Sequence, residues 1–98
     1  MIKIAARCQN HTYSLVIKGH ANFSRGKDIV CSAVSALYFA LLAAAEKDEG
    51  VYSLKSREAD GYGKIEFSGG ENMKGAFNMA MEGFLLLHLS ILLLGKHD

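Results

Sequence analysis

Apolar and polar residues alternate with a period of two at the start of the chain, so Ile2 to Arg7 reads as a strand. Thr12 to Lys18 reads as a second, with Tyr13, Leu15 and Ile17 on one side. The short turn at Gln9-Asn10-His11 makes the pair a hairpin. The period then changes. From about Ile29 to Lys47, Val30, Val34, Leu37, Leu41 and Ala45 fall on one stripe of a helix with an alanine-rich middle that ends near Gly50. Val51 to Arg57 and Lys64 to Ser68 predict a second hairpin around Ala59-Asp60-Gly61-Tyr62-Gly63, with Ile65 and Phe67 sharing a face. Gly69-Gly70 breaks the pattern before a second helix, about Asn72 to Leu94. No linker, repeat or low-complexity segment divides residues 1–98, which therefore make one domain. The order β-β-α-β-β-α predicts an α+β fold: a four-stranded antiparallel sheet with both helices packed on one face.

The second helix carries more apolar surface than that plan covers. Met73, Phe77, Ala80, Met81 and Phe84 make an amphipathic first half, but Phe84 to Leu94 is apolar almost all round. A membrane span needs about 20 such residues, and this run is shorter and follows Lys74 and Glu82, so a core helix is expected and no membrane partner. One sheet covers one side of a helix. Leu85, Leu86, Leu89, Leu92 and Leu93 then predict a homodimer paired through the second half of this helix. His88 within it reads as a packed histidine.

Candidate chemistry is concentrated between the first hairpin and the first helix. Gly19-His20-Ala21 follows the second strand, Asn22-Phe23-Ser24-Arg25-Gly26-Lys27 is loop, and Asp28 is a suitable N-cap for the helix. Cys31 is then expected in the first helical turn, where orphaned N–H groups and the helix dipole favour a thiolate. Ser35 lies four residues on, beside it on the edge of the apolar stripe. A base near a low-pKa thiol makes a nucleophile. A small buried hydrophobe is the ordinary alternative for a cysteine in an apolar helix.

At these residues the chain resembles the bacterial ribosomal-processing cysteine proteases. The family pattern is Gly-His-Ala, a loop, then Asp-x-Val-Cys with a serine four positions beyond the cysteine, and Gly19, His20, Ala21, Asp28, Val30, Cys31 and Ser35 each match it. The resemblance implies an endopeptidase that removes an N-terminal extension from ribosomal protein twenty-seven of the large subunit. It implies Cys31 as nucleophile, His20 as general base, and Ser35 as a positioning group, with Asp28 organising the helix start. Gly19, Ala21, Asn22 and Phe23 would border the substrate. The extension it implies is hydrophobic and ends in aromatic residues, for which Phe23, Tyr38 and Phe39 are candidate subsites.

Composition narrows the alternatives. Half of the 98 residues are hydrophobic and the formal net charge is +1, with no basic run or aromatic-rich RNA-binding signature, so direct nucleic-acid binding is not expected. Only Cys8 and Cys31 occur, and the N-terminal strand pattern does not resemble a signal peptide, which suggests a cytoplasmic protein. A zinc site from Cys8, His11, His20 and Cys31 has no recognised ligand spacing, and no cofactor is expected. Two function classes follow: the cysteine endopeptidase, and a non-catalytic dimeric α+β binding module associated with ribosome assembly.

Overall fold

The computed structural model describes residues 2–19, 27–87 and 91–94, of which 27–30 and 91–94 are described as backbone only. Strands β1 (Lys3–Gln9) and β2 (Thr12–Lys18) pair antiparallel with Gln9 opposite Thr12. Asn10 and His11 therefore close a two-residue turn, at φ of 52° and 62°. Two left-handed residues give such a turn the twist of the strands it joins, and Asn and His enter that region more readily than most side chains. Helix α1 (Lys27–Lys47) follows, then β3 (Val51–Ala59) and β4 (Tyr62–Gly69), joined at Asp60-Gly61, and helix α2 (Met73–Leu86). The four antiparallel strands and two helices have the expected order.

One face of the sheet carries the core. Ile4, Ala6 and Cys8 of β1, Tyr13, Leu15 and Ile17 of β2, and Ile65 and Phe67 of β4 are buried beneath the helices. From α1 come Val34, Tyr38, Leu41 and Ala45, and from α2 Met73, Phe77, Ala80, Met81 and Phe84. At the centre, Tyr13 stacks on Phe67 directly opposite it in the register, with ring centroids 4.9 Å apart, and meets Phe77 at 5.3 Å. The helices approach closely at Gly83, where a Cβ would lie 2.8 Å from Leu37 Cδ1.

Helix two is shorter than its apolar run suggests. It ends at Leu86, where the Leu87 N–H donates to the Phe84 carbonyl at 3.1 Å, a tightened closing turn. Ile91–Leu94 then forms a fifth strand, β5, parallel to β1 with Ile91 opposite Ile4 and Leu94 opposite Arg7. The sheet order is β3-β4-β2-β1-β5. An apolar run without a polar face has no 3.6-residue signature to hold it in a helix, whereas the free edge of β1 offers a row of backbone donors and acceptors that needs a partner. The homodimer expectation drew on a continuous helical face. Among the described residues α2 ends at Leu86 and Leu92 and Leu93 belong to β5, so these leucines do not share one helix; Leu89 and His88 lie outside the described residues. Met79, Leu85 and Leu86 are the exposed large apolar groups of α2.

Phe77 is fully buried in the core, against Tyr13 of the sheet. Phe77→Ala should therefore destabilise the domain by about 3 to 5 kcal/mol. Urea denaturation should show a lowered midpoint with an unchanged m-value.

Candidate active site

Helix α1 begins at Lys27, two residues earlier than its sequence pattern suggests. Asp28 consequently lies in the first turn and does not occupy the N-cap position expected for it. Cys31 becomes the fifth helical residue, one turn in, so its own N–H falls within the intrahelical ladder. Beyond it, Ser35 and Phe39 follow at four-residue intervals on the same side of the helix.

Cys31, Ser35 and Phe39 border a cleft of about 230 Å³ between α1 and the end of the β3–β4 hairpin. Its opposite wall comes from Glu58, Ala59, Gly61 and Tyr62, and its floor from Ile17, Tyr38 and Gly63. Cys31 is half-buried and lines the cleft, and Ser35 is exposed. Gly19 lines the cleft where β2 ends; its φ is 97°, and its N–H donates to the Gly61 carbonyl at 2.8 Å. A side chain there would be strained, so glycine lets the chain leave β2 while remaining pinned to the neighbouring turn. His20 is the next residue in the chain. His20, Ala21, Asn22 and Phe23 lie outside the described residues.

Tyr38 fixes the floor. Its ring lies directly over Gly63, where a Cβ would come within 2.9 Å of Cε1 and Cζ. The hydroxyl donates to Glu58 Oε2 at 2.7 Å and also lies 3.0 Å from the Lys64 carbonyl oxygen. Burial, reinforced by the Glu58 carboxylate, pushes the phenol well above its ordinary value, so Tyr38 remains a donor. Phe39 meets its ring edge-on at 5.0 Å and is half-exposed at the rim, giving the cleft an aromatic border. Of the aromatic subsites expected from the sequence, Tyr38 is therefore core and floor at once, and Phe39 is accessible.

The hairpin wall has no sequence signature. Glu58, Tyr62 and Gly63 read as strand and turn residues, and only the pairing of β4 beside β2 brings them opposite Cys31. Cys8, by contrast, is in the sheet core opposite Tyr13, away from the cleft lining. Among the described residues, no cluster of histidine, cysteine or carboxylate side chains is arranged to hold a metal ion.

The described lining of the cleft thus sets Cys31 and one carboxylate, Glu58, among largely apolar neighbours. The family model described as cysteine protease Prp matches residues 1–89. Among solved structures, SMU.848 from Streptococcus mutans is 25% identical, with a TM-score of 0.73 over 98% of this chain and 99% of that one. The essential ribosomal processing protease Prp from S. aureus, in complex with a covalently linked product peptide, is 18% identical with a TM-score of 0.73 over 98% and 100%. Its complex with a substrate peptide gives 17% and 0.70 over the same shares. No curated protein matches the sequence.

Tyr38→Phe should cost about 0.5 to 1.5 kcal/mol, because the partners it releases are accessible enough to recover water. The pH dependence has a definite sign. With the folded phenol raised above its ordinary 10.0, the unfolded chain loses its proton first, so this contribution is present below pH 10 and is lost as pH rises beyond it. Tyr13 is also raised, chiefly by burial, and would retain part of the same decline. Urea midpoints measured above pH 10 should fall less steeply for Tyr38→Phe than for the native chain.

Proposed function

The chain belongs to the cysteine protease Prp family, and from that premise we propose that it is an endopeptidase that removes the N-terminal extension of ribosomal protein twenty-seven of the large subunit. The observation that carries this reading is the opening of Cys31 into a cleft with an aromatic border between α1 and the β3–β4 hairpin. The S. aureus relative is a ribosomal processing protease crystallised with substrate and product peptides, and the match to its family supports the same class of substrate.

In the proposed mechanism His20 takes the proton of the Cys31 thiol, and the sulfur attacks the scissile carbonyl carbon. The tetrahedral adduct collapses with cleavage of the C–N bond. The His20 imidazolium then protonates the departing amine, leaving the N-terminal fragment as a thioester on Cys31. Water, deprotonated by His20, attacks that thioester and restores the free thiol. Ser35, four residues along the helix and bordering the same cleft, helps position the dyad or a peptide carbonyl. Apolar side chains before the scissile bond would pack over Tyr38 and against Phe39, in keeping with the aromatic residues that the family resemblance implies there.

Mass spectrometry of the large-subunit protein before and after incubation tests the reading: a loss of mass equal to the extension is expected. Cys31→Ala and His20→Ala should each reduce cleavage by at least about a thousandfold, since nucleophile and base act as one unit. Circular dichroism should show both variants folded, and Cys8→Ala should cleave normally. Near-native turnover by either dyad variant would overturn the mechanism. An unprocessed substrate bound by the native chain would favour the non-catalytic binding module.

A further inference from the structure

The sheet has a second face, opposite the helices, and the topology collects positive charge on it. Adjacent strands place Lys3 opposite Lys18, and Arg57 opposite Lys64, with Arg7 and Lys55 at outward positions in the next row. Six of the chain's 11 lysine and arginine residues thus share one face. Glu66 is the one carboxylate at the outward positions of these strands, 3.3 Å from Lys64. The acidic side chains Glu46, Asp48 and Glu49 lie at the end of α1, and Glu82 lies on α2. A net charge of +1 therefore averages a strongly basic face with a compensating acidic remainder.

Two features point to a bound polyanion. Like charges directly opposite on neighbouring strands oppose folding, and this face holds two such pairs, Lys3 with Lys18 and Arg57 with Lys64. A dense row of anions reverses their sign, turning a repulsive pair into two phosphate contacts. On the same face Tyr52, opposite Ser68, is 64% exposed at the bulge where the register shifts between Tyr52 and Lys55. Tyr52 thus stands at the end of the basic face, one row beyond Lys55, where an exposed ring can stack on an unpaired base while the neighbouring phosphates run along the lysines and arginines. A membrane surface would call for large apolar side chains projecting among the cations; Ala5, Val16 and Ala59 at the outward positions are small or half-buried, and Tyr62 lies at the end of the face that borders the cleft.

We propose that the helix-free face of the sheet, built on Lys3, Arg7, Lys18, Lys55, Arg57 and Lys64 with Tyr52, binds single-stranded RNA. None of these seven residues lines the Cys31 cleft, and the proposal is argued independently of the peptide substrate.

Fluorescence anisotropy of the full chain with a labelled mixed-sequence RNA of about 16 nucleotides tests it. Binding is expected at about 1 to 100 μM, with log affinity falling against log salt at a slope of about −2 to −4. The double variant Lys18→Glu/Arg57→Glu should weaken binding at least about tenfold and flatten the slope by about 1.4. Because it converts both repulsive pairs into attractive ones, the same variant should raise Tm by a few degrees, so lost binding will not reflect lost folding. Tyr52→Ala should weaken binding about fivefold or more at an unchanged slope. Absence of RNA binding overturns the proposal, as does binding that survives the double charge reversal. Vesicles rich in phosphatidylserine form the control arm: binding to them without binding to RNA would assign the face to a membrane and overturn the proposal equally.

Discussion

The active-site cleft depends on one contact, the seating of Tyr38 on Gly63. A tyrosine ring reaches the sheet from α1 because the residue beneath it has no side chain, and its hydroxyl ties the helix to Glu58 on β3 and to the Lys64 carbonyl on β4. This contact sets the height of α1 above the hairpin and therefore the depth of the space into which Cys31 faces. A methyl group at position 63 would meet the ring at 2.9 Å, closer than side chains pack. The ring would have to lift, and the helix carrying Cys31 and Ser35 with it. The floor of the cleft is thus also a structural joint between helix and hairpin.

The two faces of the sheet divide the work. Beneath the helices, alternate residues of β1, β2 and β4 close a dense core around Tyr13, Phe67 and Phe77. The intervening residues, free of helix cover, concentrate cations that the whole-chain balance conceals. Segregation of this kind follows from the two-residue period of strands. Polar positions scattered along the sequence converge on one plane once register is established, and a modest net charge then coexists with a strong local field.

Much of this architecture was legible in the sequence because local signals and tertiary demands agreed. Tyr13, Leu15 and Ile17 alternate as the core face of β2 requires, and β2 spans Thr12–Lys18 as its pattern indicates. Val34, Leu41 and Ala45 fall on the buried stripe of α1. Cys31 and Ser35 were identifiable because a helix keeps residues four apart on one side, and both line the cleft. The hairpin wall was not legible. Gly63 carries its meaning only through a tyrosine 25 residues earlier, and Glu58 only through the hydroxyl it accepts. Local rules also assigned Asp28 the cap of a helix that in fact begins before it.

The second helix failed for a different reason, and that reason bears on the sheet as a whole. Periodicity cannot distinguish helix from strand in a run that is apolar at almost every position, so the competition passes to whichever backbone has unmet partners. Strand β1 has an open edge unless β5 covers it, and Ile91–Leu94 supplies that cover in parallel register. The opposite edge is protected without a partner: β3 is almost entirely exposed, breaks its register at Ser53, where φ is 56°, and carries Lys55 and Arg57. Bulges and cations on an edge discourage pairing between molecules. That explanation accounts for the charges of β3, and Lys64 is paired with Glu66, but neither accounts for Lys3 and Lys18, which lie on strands already paired on both sides. Their concentration on the open face requires a cause other than edge protection, and attraction of a polyanion supplies one.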